Sequence, residues 1–255
     1  MRPLRSSFPS ERLVYGEPVI ETLAETGSTN SDLLARLARG EDVTEGYWLR
    51  AERQSTGRGR LGRQWEGEKA NLYCSTVVRV RPGDPPPQTL TYAVSLAVFD
   101  TLQAVIADAD GLALKWPNDV LFENAKIAGI LLERQGSAIV VGIGVNIVHA
   151  PRVAGRETIS LREIGTLEEP NAAVFIERLA RHFAQRVAAW RNDPQMTLSN
   201  WQERAHEPGA PLLVSNPDGS RQAGNFAGLE NDGALRLRMP DGSFTRVYAG
   251  DVAPA

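Results

Sequence analysis

The sequence predicts an α+β fold in which a sheet covered by helices is followed by a small barrel. Three observations carry this. Strand-like runs crowd into residues 112–147, two long helical patterns flank them, and three Asp-Gly turns follow residue 206. Of 255 residues, 42% are apolar and 23% charged, which suits a folded chain and argues against disorder. The length suits one large domain, or one large and one small.

Residues 1–20 show no clear period and read as a leader, overlapping a strand from Pro18 to Glu25. Thr29 to Arg39 reads as a helix, because Leu33, Leu34, Leu37 and Ala38 share one face. Ser28 or Thr29 can cap its start, with Asp32 three residues after Thr29, and Gly40 stands where a C-terminal cap belongs. Tyr47 to Glu52 is a short strand, and Asn71 to Val80 is another, rich in β-branched residues. Pro85-Pro86-Pro87 is a stiff connector. Gln88 to Ala107 follows as an apolar helix, with Leu90, Val94, Ala97, Val98, Thr101 and Val105 spaced by threes and fours. Strands are expected at Leu112 to Lys115, Lys126 to Glu133 and Ser137 to Ile147. Their Ile, Val and Leu content implies a sheet with helices on one or both faces. Asn171 to Trp190 is a second long helix, opened by Pro170.

The pattern changes near residue 206. Asp218-Gly219, Asp232-Gly233 and Asp241-Gly242 separate the runs Leu212 to Val214, Ala234 to Met239 and Phe244 to Tyr248. Asp-Gly between apolar runs signals hairpins, and close-spaced hairpins suggest a small barrel. The expected division is a leader at 1–20, a main domain at 21–206 and a small domain at 207–255.

Several function classes fall away. There are 28 basic and 31 acidic residues, a net charge of −3, where a general nucleic-acid binder carries a basic excess. The one cysteine, Cys74, cannot form an internal disulfide, so a reducing compartment fits. The longest apolar stretch, Ile139 to Val148, is half the ~20 residues of a membrane helix. The N-terminus has two early arginines but no apolar core of a signal peptide. A cytoplasmic protein is expected.

Chemistry concentrates in four segments. Gly27-Ser28-Thr29-Asn30 gathers two hydroxyls and an amide at a helix start, where free N–H groups favour a polar head group or carboxylate. Taken alone, the segment is more simply an ordinary N-cap with turn residues. The segment from Gln54 to Trp65, reading QSTGRGRLGRQW, alternates Gly57, Gly59 and Gly62 with Arg58, Arg60 and Arg63. Glycines admit close phosphate approach, guanidinium groups bind phosphates and carboxylates, and an indole can stack on a purine. Such a loop has almost no aliphatic anchors and is expected to be mobile until a ligand neutralises it. A solvated basic loop or an RNA contact are the alternatives. Lys115-Trp116-Pro117-Asn118-Asp119 presents an amide and a carboxylate suited to Mg2+ held with phosphates, or is simply a turn. Lys126 opens the apolar KIAGILLE run, and could neutralise a phosphate or carboxylate, or snorkel. Gly142, Gly144 and Asn146 follow in the next strand, where glycines admit a ligand or mark a bend. Cys74 reads as core. His149, His182 and His206 lack zinc-ligand spacing. No serine triad, Walker A loop or Rossmann fingerprint is present.

In order, spacing and residue type, GSTN, QSTGRGRLGRQW, NLYCS, KWPND, KIAGILLE and VGIGVN resemble the biotin–protein ligase family over about residues 27–147. GLENDGAL and the Tyr-Ala-Gly-Asp-Val stretch look like that family's small SH3-like domain. The resemblance implies a central mixed sheet of the class II synthetase type with an SH3-like barrel after it. It implies formation of biotinyl-5′-AMP from biotin and ATP with Mg2+, without a tightly bound prosthetic group. Biotin then passes to one lysine of the biotin carrier domain of a carboxylase such as acetyl-CoA carboxylase. By resemblance, Ser28, Thr29, Asn30 and Gln54 line the biotin pocket. Gly57, Arg58, Gly59 and Arg60 close on the intermediate. Lys126 is the main catalytic residue, with Arg60 beside it, and Gly129 and Asn146 shape the pocket. Arg63, Trp65, Asn118 and Asp119 serve ATP, and Asp119 its metal. Fewer than thirty residues precede GSTN, so a helix-turn-helix domain and DNA binding are not expected. Ligases of this kind can pair through sheet edges, which leaves a homodimer open.

Two departures stand out. The Glu66-Gly67-Glu68-Lys69-Ala70 stretch lacks the family's glycine just before Ala-Asn-Leu, and Ala227 replaces an arginine found before the barrel's glycine in some members. Rival readings are lipoate–protein ligase, against which GRGRLGRQW weighs, a non-catalytic biotin or nucleotide sensor, against which Arg58, Arg60 and Lys126 weigh, and an RNA-binding protein. The acidic pI of about 5.7 weighs against the last.

Overall fold

The computed structural model describes residues 18–254. The expected leader lies outside them, apart from its last three residues. A seven-stranded mixed sheet is built from β1 (Val19–Leu23), β2 (Tyr47–Ala51), β3 (Leu72–Arg79), β4 (Leu112–Lys115), β5 (Asp119–Phe122), β6 (Ala125–Gln135) and β7 (Ala138–Val145). Its order is β1-β2-β3-β7-β6-β5-β4. Only β1 and β2 run parallel, because the helix α1 (Thr29–Ala38) carries the chain back across the sheet between them. Ser28 caps α1 by accepting from Ser31 N–H, while Asp32 accepts from the Thr26 hydroxyl at 2.6 Å.

Alternation along the strands gives the sheet two different faces. Trp48, Cys74, Val78, Val141, Ile143 and Val145 point to the main core under α2 (Leu90–Gln103), α4 (Ala172–Asn192) and α5 (Pro194–Gln202). A short helix, α3 (Leu161–Ile164), precedes α4 and carries a Ser160–Glu163 capping box. α2 is buried along nearly its whole surface, so its sequence reads apolar on every side rather than amphipathic. The opposite face carries Leu49, Val77 and Val140 under Leu33 of α1. α1 covers only part of that face, and the remainder is where the cavity lies.

β5 escapes sequence reading because it has four residues and turns into β6 through Glu123-Asn124. Both turn residues have positive φ, as a tight hairpin requires, yet neither is the glycine that signals one. The second sheet holds β8 (Pro211–Ser215), β9 (Arg221–Leu229), β10 (Leu235–Arg238), β11 (Phe244–Val247) and β12 (Asp251–Pro254). Its antiparallel order is β11-β10-β9-β8-β12. The expected barrel is thus a five-stranded sheet whose edges are β11 and β12, without a ladder joining them among the described residues. Asn225 pairs with Pro211 on one side and Arg238 on the other, so the nine-residue β9 serves both halves. Leu212, Phe226, Leu235 and Val247 of this sheet join the main core, and Gln202 accepts from Leu229 N–H at 2.8 Å.

Candidate active site

The parallel pairing of β1 and β2 brings the first two motifs together. Its register continues past the strands, so Thr26 bridges Gln54, Ser55 N–H donates to Thr26 and Thr56 N–H to Gly27. Gln54 thereby reaches the start of α1, where its carbonyl accepts from Thr29 N–H at 2.8 Å and the Thr29 hydroxyl at 3.1 Å. The Thr29 hydroxyl also meets Ser75 at 2.7 Å, Ser75 donates to Asn30 at 2.6 Å, and Asn30 donates to Glu133 at 2.8 Å. Ser28, Thr29, Asn30 and Ser75 are all buried. This polar chain forms one end of a cavity of about 450 Å³.

The cavity floor is a patch of sheet stripped of side chains. One row runs Tyr73, Gly144, Gly129, Asp119, Lys115 across β3, β7, β6, β5 and β4. The Trp65 ring lies on its two glycines. A Cβ on Gly144 would stand 2.5 Å from Trp65 Cε2, and one on Gly129 would stand 2.8 Å from Trp65 Cζ3. Gly142, one row over, is filled by the Asn30 carboxamide. These glycines therefore seat other residues rather than mark a bend.

Lys126 forms the other end. In a regular strand, residues three apart point to opposite faces, so Lys126 and Gly129 would diverge. A β-bulge prevents this: Leu121 pairs with Lys126 and Val120 with Ala128, leaving Ile127 as the extra residue. Lys126 Nζ then comes 2.5 Å from Asp119 Oδ1 and 5.0 Å from the Trp65 ring centre. Burial pushes its ammonium below the ordinary lysine range, and Asp119 opposes that. Arg156 bonds the other Asp119 oxygen at 3.3 Å. Asn146 braces this end, donating to the Lys126 and Ile159 carbonyls at 3.2 and 3.1 Å.

The arginine loop spans the cavity, each arginine on a separate partner. Arg58 meets Glu133 at 3.2 Å, Arg60 donates to Asn118 at 3.2 Å, and Arg63 contacts Asp251. Burial pushes Arg60 down, against the pull of Asp251 and Asp119. Asn118 is fixed in turn by donating to the Ile130 carbonyl at 2.6 Å. Every residue expected at the site lines the cavity except Gly57. Gly57 packs behind it, where a Cβ would lie 2.5 Å from the Trp65 carbonyl.

Asp251, Arg152, Arg156 and Glu133 are site residues that the sequence reading did not single out. Glu133 closes the KIAGILLE block and Asp251 lies in the Tyr-Ala-Gly-Asp-Val stretch, so both stood inside quoted motifs. Arg152 and Arg156 carried no such signal. Around the cavity Arg58, Arg60, Arg63, Lys126, Arg152 and Arg156 outnumber Glu66, Asp119 and Asp251 six to three, in a chain of net charge −3. A polar end, a floor covered by the Trp65 ring and a cationic end suit a ligand with a small polar head, an apolar middle and phosphate. Among the described residues, no group of three or more His, Cys, Asp or Glu is placed to hold a metal.

The model of the biotin/lipoate A/B protein ligase family matches residues 27–147. The biotin–[acetyl-CoA-carboxylase] ligase of Mycobacterium tuberculosis is 37% identical, over 91% of this chain and 88% of that one. The chain belongs to the biotin protein ligase family. The biotin–[acetyl-CoA-carboxylase] ligase of Paracoccus denitrificans is 36% identical, over 86% of this chain and 94% of that one. Among solved structures, the Aquifex aeolicus biotin protein ligase in complex with biotin and ATP superposes with a TM-score of 0.79 at 23% identity. It covers 93% of this chain and 99% of its own, and the likeness establishes the shared fold.

Proposed function

We infer that this protein is an ATP-dependent, AMP-forming biotin–protein ligase. It joins the biotin carboxylate to the α-phosphate of ATP, releasing pyrophosphate, and passes the biotinyl group from biotinyl-5′-AMP to a lysine of a biotin carrier domain. The observation that carries this is the bulge at Ile127, which turns a nearly buried lysine onto the cavity face beside Gly129, at the cationic end opposite the polar chain.

The proposal gives these residues the following roles. Gln54, Ser28, Thr29 and Asn30 take the polar head of biotin. Lys126, with Arg60, faces the carboxylate and α-phosphate, where attack brings negative charges together. Preorganised cations in a water-poor site offset that repulsion without reorganising. Asp119 keeps the Lys126 amine in place and is the carboxylate available to the Mg2+ that arrives with ATP. Trp65, Asn118 and Arg63 border the nucleotide, and the arginine loop with Gly57, Arg58 and Gly59 closes over the mixed anhydride. Closure excludes water that would hydrolyse it. Gly129 and Asn146 shape the floor.

The same proposal divides the chain into a catalytic domain at 21–206 and an SH3-like domain at 207–255. It places the protein in the cytoplasm, acting on the carrier domain of acetyl-CoA carboxylase or a related carboxylase. No helix among the described residues is long and apolar enough to cross a membrane. The test mixes protein, ATP, Mg2+ and biotin with a carrier domain and follows the carrier's intact mass, with lipoate and octanoate in parallel. A biotin-sized increase that needs both ATP and biotin is expected. Modification by lipoate alone would move the protein to the sister ligases, and biotin binding without transfer would make it a sensor.

A further inference from the structure

The arginine loop is a small unit bonded mainly to itself. Gly59 N–H donates to Arg63 at 2.7 Å, Trp65 N–H donates to Gly57 at 2.9 Å, and Arg58 bridges Gln64. Its tip, Leu61, is 60% exposed and has a positive φ of 57°. Such a flap needs outside contacts to stay down: the Trp65 ring supplies one on Gly129 and Gly144, and the arginine side chains supply the rest. The contact at one end is Arg58 on Glu133 of β6, and at the other Arg63 on Asp251 of β12. Asp251 is the one cavity-lining residue, among those described, that belongs to the second sheet. Glu133 is also the last member of the polar chain from Gln54 through Thr29, Ser75 and Asn30.

We propose that Glu133 and Asp251 are positioning residues that hold the arginine loop closed by its two ends, so that the C-terminal sheet helps set how long the acyl-adenylate stays bound. The role of the adenylate rests on the ligase reading above; the anchoring of the loop does not. Both carboxylates act through an arginine rather than on the reacting atoms. Burial pushes the Asp251 carboxyl up, but its bond to Arg63 and the charges of Arg63, Arg156 and Arg60 outweigh this, so it stays ionised. Sharing Glu133 between Asn30 and Arg58 links occupancy of the polar end to the loop. Neither pair is deeply buried, with side-chain exposures of 46% and 26% for Arg58–Glu133 and 50% and 32% for Arg63–Asp251. Each anchor therefore has the modest strength of a partly exposed ion pair, enough to bias a flap but not the fold.

The test uses the full chain with Glu133→Gln, Asp251→Asn, the double variant and Asp251→Glu. Hydrogen exchange of peptides covering residues 54–67 in the ligand-free protein reports loop opening. Release of preformed biotinyl-AMP, chased with unlabelled biotin and ATP, reports retention. Each single variant should speed both about 1.4- to fivefold, and the double by about the product, up to roughly 25-fold. Exchange in α2 should not change, and Asp251→Glu should restore most of what Asp251→Asn loses. Parental loop exchange in the double variant would overturn the proposal. So would a uniform rise in exchange across the fold, or failure of Asp251→Glu to rescue. A parent that forms no biotinyl-AMP would refute the ligase reading, while loop exchange would still judge the anchors.

Discussion

Gly144→Ala should damage nucleotide use while sparing biotin binding. The added methyl would stand 2.5 Å from Trp65 Cε2 and 2.6 Å from Cζ2. Carbon atoms pack at about 3.5–4.0 Å, so the ring must rise by about 1 Å from its seat. Forced overpacking costs about 1–3 kcal/mol. Here the loop that carries Trp65 moves more readily than β7, so the strain appears as a displaced indole rather than as lost stability. If the ring borders the nucleotide, that cost becomes a rise of about five- to 150-fold in the KM for ATP. Biotin affinity, measured by calorimetry, should change by less than about twofold, since the polar end lies one row away. Acrylamide quenching follows the indole itself. Trp48, Trp116, Trp190 and Trp201 are at most 2% exposed, so the quenchable emission comes from Trp65 and should increase. Increased quenching with an unchanged KM for ATP would refute the assignment of Trp65 to the nucleotide. Unchanged quenching would refute the seat itself.

Four further outcomes are expected. Gly142→Ala should do the reverse of Gly144→Ala, because its methyl would stand 2.8 Å from Asn30 Cγ and break the polar chain; biotin affinity should fall about five- to 150-fold by calorimetry. Lys126→Ala should slow pyrophosphate release at least about 10²–10³-fold with an unchanged circular dichroism spectrum, since its loss removes a preorganised cation but little packing. Ala70→Gly should raise the melting temperature by roughly 1–3 °C, because Ala70 holds a left-handed φ of 72° that glycine adopts without strain. Glu21→Gln should flatten acid unfolding. The bonds from Arg36 and Tyr47 hold Glu21 at about 2, against an ordinary 4.5, so its stabilisation is complete above 4.5 and is lost as pH falls from 4.5 towards 2. Exposure limits that contribution to about 1 kcal/mol or less, read from urea midpoints across the window.

Much of the architecture was legible because local pattern and tertiary role agreed. Apolar residues spaced by threes and fours gave α1, α2 and α4, a β-branched run gave β3, and short apolar runs gave β2, β4, β6 and β7, with boundaries a few residues off at most. The elements that escaped were weak in the signals that sequence offers. β5 turns without glycine, β9 begins in the polar run Arg221-Gln222, and β12 is four residues at the chain's end. α5 starts at a proline and buries only Thr197, Leu198 and Trp201, too few to show a period. In the site, Ser28, Thr29, Asn30, Gln54, the arginines of the loop and Lys126 were named because their motifs are dense in reactive groups. Arg152 and Arg156 act singly from a loop, so no local pattern exposed them, while Asp251 stands in the Tyr-Ala-Gly-Asp-Val stretch but reaches the cavity only through the placement of the second sheet.

The sequence alone determined which groups the site would have: hydroxyls and an amide at a helix start, arginines on a glycine loop, a lysine opening an apolar strand, and glycines in the next. Those are properties of residue type and order. The tertiary structure decided what they face. One parallel register carries Gln54 to Thr29 across 25 positions, and one extra residue at Ile127 turns Lys126 onto the face of Gly129. The register of the β6–β7 hairpin sets Gly129 and Gly144 side by side, where Trp65, 64 positions before the nearer of them, lies on both. Strand register and bulges arise from pairing along the whole sheet, so the direction of a side chain is fixed only when its partner strands are in place.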